Sequence, residues 1–253
     1  MLRPRIIPCL LVKDKGLVKT VKFKDPKYVG DPINAVRIFN EKEVDELMVL
    51  DIDASAENRE PDYKMIENLA TECRMPLCYG GGVKTVEQAQ RIFSLGVEKI
   101  ALSSAAVEDI TIIKKIAAVV GVQSVIVVID VKKKVFGGYE VVIYNGLKKT
   151  GKDPVKFAKE LQELGAGELV INSIDNDGVM RGFDFEIIDK IRQAITIPMT
   201  VLGGAGSLDD IARVIRKHRV IGVAAGSLFV FKGIYKAVLI NYPNNKDKNA
   251  LFF

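Results

Sequence analysis

Eight short apolar runs recur along the chain, at residues 6–12, 47–52, 76–79, 100–103, 125–129, 169–174, 198–202 and 220–225. Each has the length of a buried strand, and several are near-continuous apolar stretches of the kind that parallel sheets require. The segments between them carry helix signals. Thr85 with Gln88 forms a capping box. Asp153 stands as an N-cap ahead of Pro154, with Gly165 closing the same helix. Ser207 precedes the apolar stripe Ile211, Val214 and Ile215.

The chain also repeats itself. Residues 46–50 (ELMVL) are answered by 168–172 (ELVIN), Gly81-Gly82 by Gly203-Gly204 and Asp53 by Asp175, all at an offset of 122. A repeat of half the chain, together with eight strand–helix alternations in 253 residues, predicts an α/β fold. The architecture expected is a (β/α)₈ TIM barrel built from two similar half-barrels. The whole chain, 1–253, is expected to form this one domain, with 241–253 as a C-terminal tail. Two connections are long: 13–32, with six lysines, and 131–152, where 135–144 around Gly137-Gly138 reads as a small hairpin. At the carboxyl end of a barrel such loops serve as lids or binding loops.

Composition narrows the function. No apolar run approaches the ~18 residues of a spanning helix, and no leader is apparent, so a cytoplasmic protein is expected. Cys9, Cys73 and Cys78 lack metal-ligand spacing and read as free thiols in a reducing compartment. The one histidine, His218, sits in a basic run, so neither a metal nor a cofactor is expected. The net charge of +5 suits a phosphorylated small molecule. The lysines are not interleaved with aromatics and tryptophan is absent, so no nucleic acid is expected, and the lack of a spanning run leaves no membrane partner expected.

In parallel barrels, chemistry sits beyond the carboxyl ends of the strands. The fifth run ends on Asp130, a catalytic acid or base by position. The first run has the same form, LVK against DVK, but Leu11 stands where Asp130 stands. Phosphate binding is expected at two equivalent glycine turns, Gly81-Gly82 with Ser103-Ser104, and Gly203-Gly204 with Gly226-Ser227. Glycines there let backbone N–H groups approach an anion. Two such sites imply a substrate with a phosphate at each end.

The chain resembles the cyclase subunit family of imidazole glycerol phosphate synthase, from Arg5 to about Phe231. The motifs that carry the likeness are GDP at 30–32, LDI at 50–52, GGG at 80–82, SIDNDG at 173–178 and GGAG at 203–206. The resemblance implies a barrel that takes ammonia from a glutaminase subunit and closes an imidazole ring with two aspartates. Asp130 matches one of these, and Leu11 occupies the place of the other. Leu202 replaces a residue that is commonly small and polar. Lys19, Asp51, Asp177 and Gly178 fall at substrate positions, with Asn34 and Asn172 keeping polarity nearby. Arg5, Glu46, Lys99 and Glu168 match the charged ring at the ammonia entrance, on the amino-terminal face where the glutaminase docks.

The likeness is greatest to paralogues that accompany a sugar amidotransferase in surface-polysaccharide synthesis, which share CLL at 9–11, FKDPKYVGDPINA at 23–35 and AAGSLFVF at 224–231. An ammonia-conducting subunit serving formation of an acetamidino sugar is therefore expected. The alternative is an authentic cyclase of histidine biosynthesis in which Asp51, Asp53, Asp175 or Asp177 supplies the missing acid. A third reading is a phosphate-binding barrel without a partner.

Overall fold

The computed structural model describes residues 3–252; Met1, Leu2 and Phe253, the last residue of the expected tail, lie outside the described residues. Eight parallel strands pair in sequence order: β1 (Arg5–Lys13), β2 (Leu47–Asp51), β3 (Leu77–Gly80), β4 (Lys99–Leu102), β5 (Val125–Lys133), β6 (Glu168–Ser173), β7 (Met199–Leu202) and β8 (Gly222–Ala225). Pairing of Arg5 with Gly222 and Pro8 with Ala225 returns β8 to β1 and closes the barrel. Each expected run falls on one of these strands. Helices α1 (Pro32–Glu41), α2 (Tyr63–Glu72), α3 (Val86–Ser94), α4 (Thr111–Val120), α5 (Pro154–Glu163), α6 (Phe185–Ala194) and α7 (Leu208–His218) follow the first seven strands.

The repeat extends to the caps. Asp31 and Asp153 each cap a helix whose first residue is proline, taking N–H groups of the first turn. Thr85–Gln88 and Ser207–Asp210 both form capping boxes, again 122 residues apart. Asp62 and Asp184 precede α2 and α6 at the same offset, but only Asp62 caps its helix through the side chain. Asp184 instead accepts hydrogen bonds from the Tyr139 hydroxyl (2.9 and 3.0 Å) and pairs with Lys133 at 3.2 Å.

Two apolar cores result. The larger lies between strands and helices. The smaller fills the barrel itself, where Ile7, Met48, Cys78, Ile126, Val170 and Ala224 are buried. These inward positions alternate with outward ones along each strand.

Four segments add to or differ from the sequence-based reading. Residues 13–32 are not an open basic loop: β1 runs on into a turn, and strands Gly16–Val21 and Lys24–Gly30 return as an antiparallel hairpin. The second connection does form the expected hairpin, but β5 itself supplies one arm, with Val131 opposite Val141 and Lys133 opposite Tyr139. After β8 comes a short helix, Ser227–Val230, and then a two-stranded hairpin pairing Phe231 with Val238. The expected tail contains a helix, Asn245–Phe252, packed against α7. It is held because Leu251 is buried and Lys248 pairs with Asp45 at 3.0 Å. Tyr242 also donates to the Ile6 carbonyl at 2.9 Å.

Candidate functional site at the barrel mouth

The carboxyl ends of the strands surround a cavity of about 320 Å³. Leu11, Lys19, Asp51, Gly81, Gly82, Ser103, Ser104, Asp130, Asp177, Gly226 and Ser227 all line it. Gly178, Gly203 and Gly204 do not. Gly178 lies under the first hairpin, where a Cβ would overlap the Thr20 carbonyl, and Gly204 abuts the Gly182 carbonyl. The two glycine turns share a structural cause. A Cβ on Gly81 (φ +121°) would lie 2.5 Å from the Asp51 carbonyl oxygen, and one on Gly203 (φ +87°) 2.6 Å from that of Ser173. Close passage of the preceding βα loop requires glycine at both, whatever anion either turn binds.

Asp130 is held between neighbouring strands. Asn172 on β6 donates to one carboxylate oxygen at 2.9 Å, and Ser103 at the end of β4 to the other at 3.2 Å. Desolvation pushes its pKa up to about 7, although both hydrogen bonds favour the charged form. β1 stands four strands away in either direction around the barrel, and there Leu11 pairs with Leu50 of β2. Leu202 pairs with Asn172 in the β6–β7 register. The Asn172 side-chain oxygen is buried without a hydrogen-bond partner. Leu11, Leu50, Leu202, Val128 and Cys9 thus give the cavity an apolar floor, continuous with the core inside the barrel.

The other acids at the mouth are each engaged. Asp51 accepts from the N–H groups of Asp53 (3.2 Å) and Ala54 (3.1 Å) and faces Arg59 at 3.6 Å. Its pKa is nonetheless raised, because burial outweighs those contacts. Asp53 pairs with Lys13 at 2.7 Å. Asp175 accepts from the Lys133 N–H at 2.9 Å. Asp177 accepts from Thr20 at 3.2 Å, and burial lifts it to about 6 against the pull of Lys19. Lys19 is buried, its ammonium donating to the Cys9 carbonyl at 2.6 Å above Gly226. Burial holds it below the ordinary lysine value.

Several participants were not singled out from the sequence. Asn145 donates to Asp53 at 3.2 Å, and Gly146 lies against Phe23, so the first two hairpins meet over the mouth. No spacing in the sequence joins residues 23 and 146.

At the amino-terminal face the four expected charges form one network. Arg5 bonds both Glu46 and Glu168, the latter at 2.6 Å, while Lys99 lies 2.8 Å from Glu46 and 3.3 Å from Glu168. Thr200 also donates to Glu168. Burial opposes ionisation of Glu168, but Arg5, Lys99 and Thr200 outweigh it and leave the pKa below the ordinary value. Among the described residues no group of three or more His, Cys, Asp or Glu could hold a metal ion. No described helix is long and apolar enough to cross a membrane.

The closed barrel has an acid on β5 facing a leucine on β1 at its mouth and a four-charge ring at its other end. A family described as "Histidine biosynthesis protein" matches residues 5–236. The chain belongs to the HisF-like family of imidazole glycerol phosphate synthase subunits. Within that family it is 62% identical, over all of both chains, to a Leptospira borgpetersenii protein provisionally named imidazole glycerol phosphate synthase subunit HisF. A Pseudomonas aeruginosa protein, provisionally named subunit hisF2, is 54% identical over 96% of this chain and 97% of its own. The Natranaerobius thermophilus HisF subunit, named without that qualification, is 39% identical over 97% and 98%.

Proposed function

We propose that this HisF-like barrel receives ammonia from a glutaminase at its amino-terminal face and passes it through the barrel without closing an imidazole ring. The observation that carries the reading is Leu11, an aliphatic side chain at the mouth position that mirrors Asp130. Leucine cannot transfer a proton, and a positioned acid or base typically contributes ~10²–10⁴ in rate. The intact ring of Arg5, Glu46, Lys99 and Glu168 supports retention of the entrance, since a buried ion network is easily replaced by apolar residues when nothing else needs it. The core between ring and mouth is apolar, so a neutral small molecule crossing it would meet few competing hydrogen-bond partners.

On this reading the ammonia serves amidation of a sugar, an acetamido group becoming an acetamidino group, with the chemistry on another protein. Relatives with provisional names, some numbered hisF2 and hisF3, share 54–62% identity with this chain, against 38–39% for those named plainly. That split supports a paralogue with its own role. The phosphate turns at Gly81-Gly82 with Ser103-Ser104, and at Gly203-Gly204 with Gly226-Ser227, then serve shape or an anion still to be identified.

The second reading is an authentic cyclase. Asp177 favours it, because a carboxyl with a pKa of about 6 on the same cavity is able to exchange protons near neutrality. Purified protein given ammonium salt and the bis-phosphate aminoimidazole-carboxamide ribonucleotide separates the two. No cyclisation is expected, and turnover at the rate of an ordinary cyclase would sink the first reading.

A further inference from the structure

Three segments extend beyond the carboxyl ends of the strands: 13–30 after β1, 131–152 continuing β5, and 231–240 after β8. Together they hold fourteen lysines, no arginine and three carboxylates (Asp14, Asp25 and Glu140). Their net charge is therefore +11 on a chain whose total is +5, which leaves −6 for everything else. All the lysines but Lys19 keep some exposure. The hairpins touch one another: Lys27 lies 6.0 Å from the Phe231 ring, and Phe23 meets Gly146.

These basic segments also present large apolar side chains to water. Phe136 is fully exposed, and Val135, Leu147, Ile234 and Tyr235 are each more than four-fifths exposed. A Cβ added at Gly137, Gly138 or Gly233 would meet nothing within 4 Å, so these turns stand clear of the body. Steering of an anionic substrate accounts for lysines around a mouth, but not for bare aromatic tips.

We propose that the carboxyl face of the barrel docks on an anionic membrane surface, with Phe136, Leu147, Ile234 and Tyr235 entering the interface and the surrounding lysines facing lipid headgroups. The composition favours this occupant over a protein. Protein interfaces are enriched in arginine and depleted in lysine, whereas these segments contain lysine alone. Clustered lysines beside protruding apolar groups match the two-part logic of peripheral membrane binding. The sequence-based expectation of no membrane partner rested on the lack of a spanning run, which bears on crossing a bilayer and not on docking at its surface. The inference is independent of what the barrel does with ammonia, and it leaves the amino-terminal face free for a partner.

Vesicle co-sedimentation of the full chain tests it, with phosphatidylcholine alone and with equal parts phosphatidylcholine and phosphatidylglycerol. Binding is expected to the mixed vesicles only and to weaken with added salt. Phe136→Ser with Leu147→Ser should lower that binding about tenfold or more. Lys134→Glu with Lys232→Glu should lower it separately. Both pairs are exposed, and circular dichroism should show them folded as the parent. Equal binding to both vesicles overturns the proposal, as does binding that ignores the apolar substitutions. Binding to neither also overturns it.

Discussion

Leu11 and Asp130 hold equivalent places, yet only one of them can titrate. Leu11→Asp would stand beside Leu50 on a floor that stays largely apolar, so its pKa should rise as that of Asp130 does. We expect the variant to gain measurable cyclisation with ammonium salt, while the parent stays at background; single-turnover product analysis checks this. A second expectation concerns pH. The folded pKa of Asp130, about 7, lies above the ~4 of an unfolded aspartate, so the folded state binds the extra proton between those values. Its contribution to stability is therefore lost as pH rises through that window. Asp130→Asn should remove this loss and be about 1–2 kcal/mol more stable than the parent at pH 8, with little difference at pH 4. Urea denaturation at the two pH values reads it. The sequence made the two positions legible because LVK and DVK match. The orphaned Asn172 oxygen was not, because it depends on Leu202 sitting beside Asn172 across a strand pair.

Strands and caps were largely open to a reading of the sequence, because their signals are local: apolar runs for the former, Thr85 with Gln88 or Asp153 ahead of Pro154 for the latter. The first hairpin was hidden for an equally local reason. Its two turns use Asp14, Lys15, Lys22 and Phe23 at positive φ, so neither carries the glycine or asparagine that normally announces a hairpin. The helix at Asn245–Phe252 is rich in asparagine and lysine and is held by contacts with Asp45 and α7 that no neighbouring residue foretells. The capping aspartates give a prediction at this scale. Asp153→Ala should cost about 1 kcal/mol, because it strips two N–H groups of α5 of their acceptor. Asp184→Ala, 31 residues on, should act elsewhere, freeing Tyr139 and Lys133 and loosening the β5 hairpin while α6 keeps its helicity. Hydrogen exchange by residue distinguishes the two outcomes.

For the molecule as a whole, the ends of the barrel carry opposite designs. Beneath the core, two cations and two carboxylates neutralise one another in a buried network. Arg5→Met would leave Glu46 and Glu168 sharing Lys99 alone, and we expect a loss of about 3–5 kcal/mol by urea denaturation. The pH response should also differ in sign from that of Asp130. Glu168 has a depressed pKa, so its stabilisation is present above the ~4.3 of an unfolded glutamate and disappears as pH falls through the lower folded value. At the opposite end the hairpins themselves carry a net positive charge, which the count of residues alone foreshadowed but whose gathering at one face only the closed barrel produces.

The 122-residue echo of caps and glycine turns gives the barrel an approximate twofold axis down its centre. Everything the two halves share is blind to direction around that axis. Leu11 opposite Asp130 breaks the symmetry at the rim. The rim therefore presents hydrogen-bonding groups at Asp130, Asn172 and Ser103 on one flank and aliphatic carbon at Leu11 and Leu50 on the other. The mouth is handed, and a ligand held there would find polar partners on one side only.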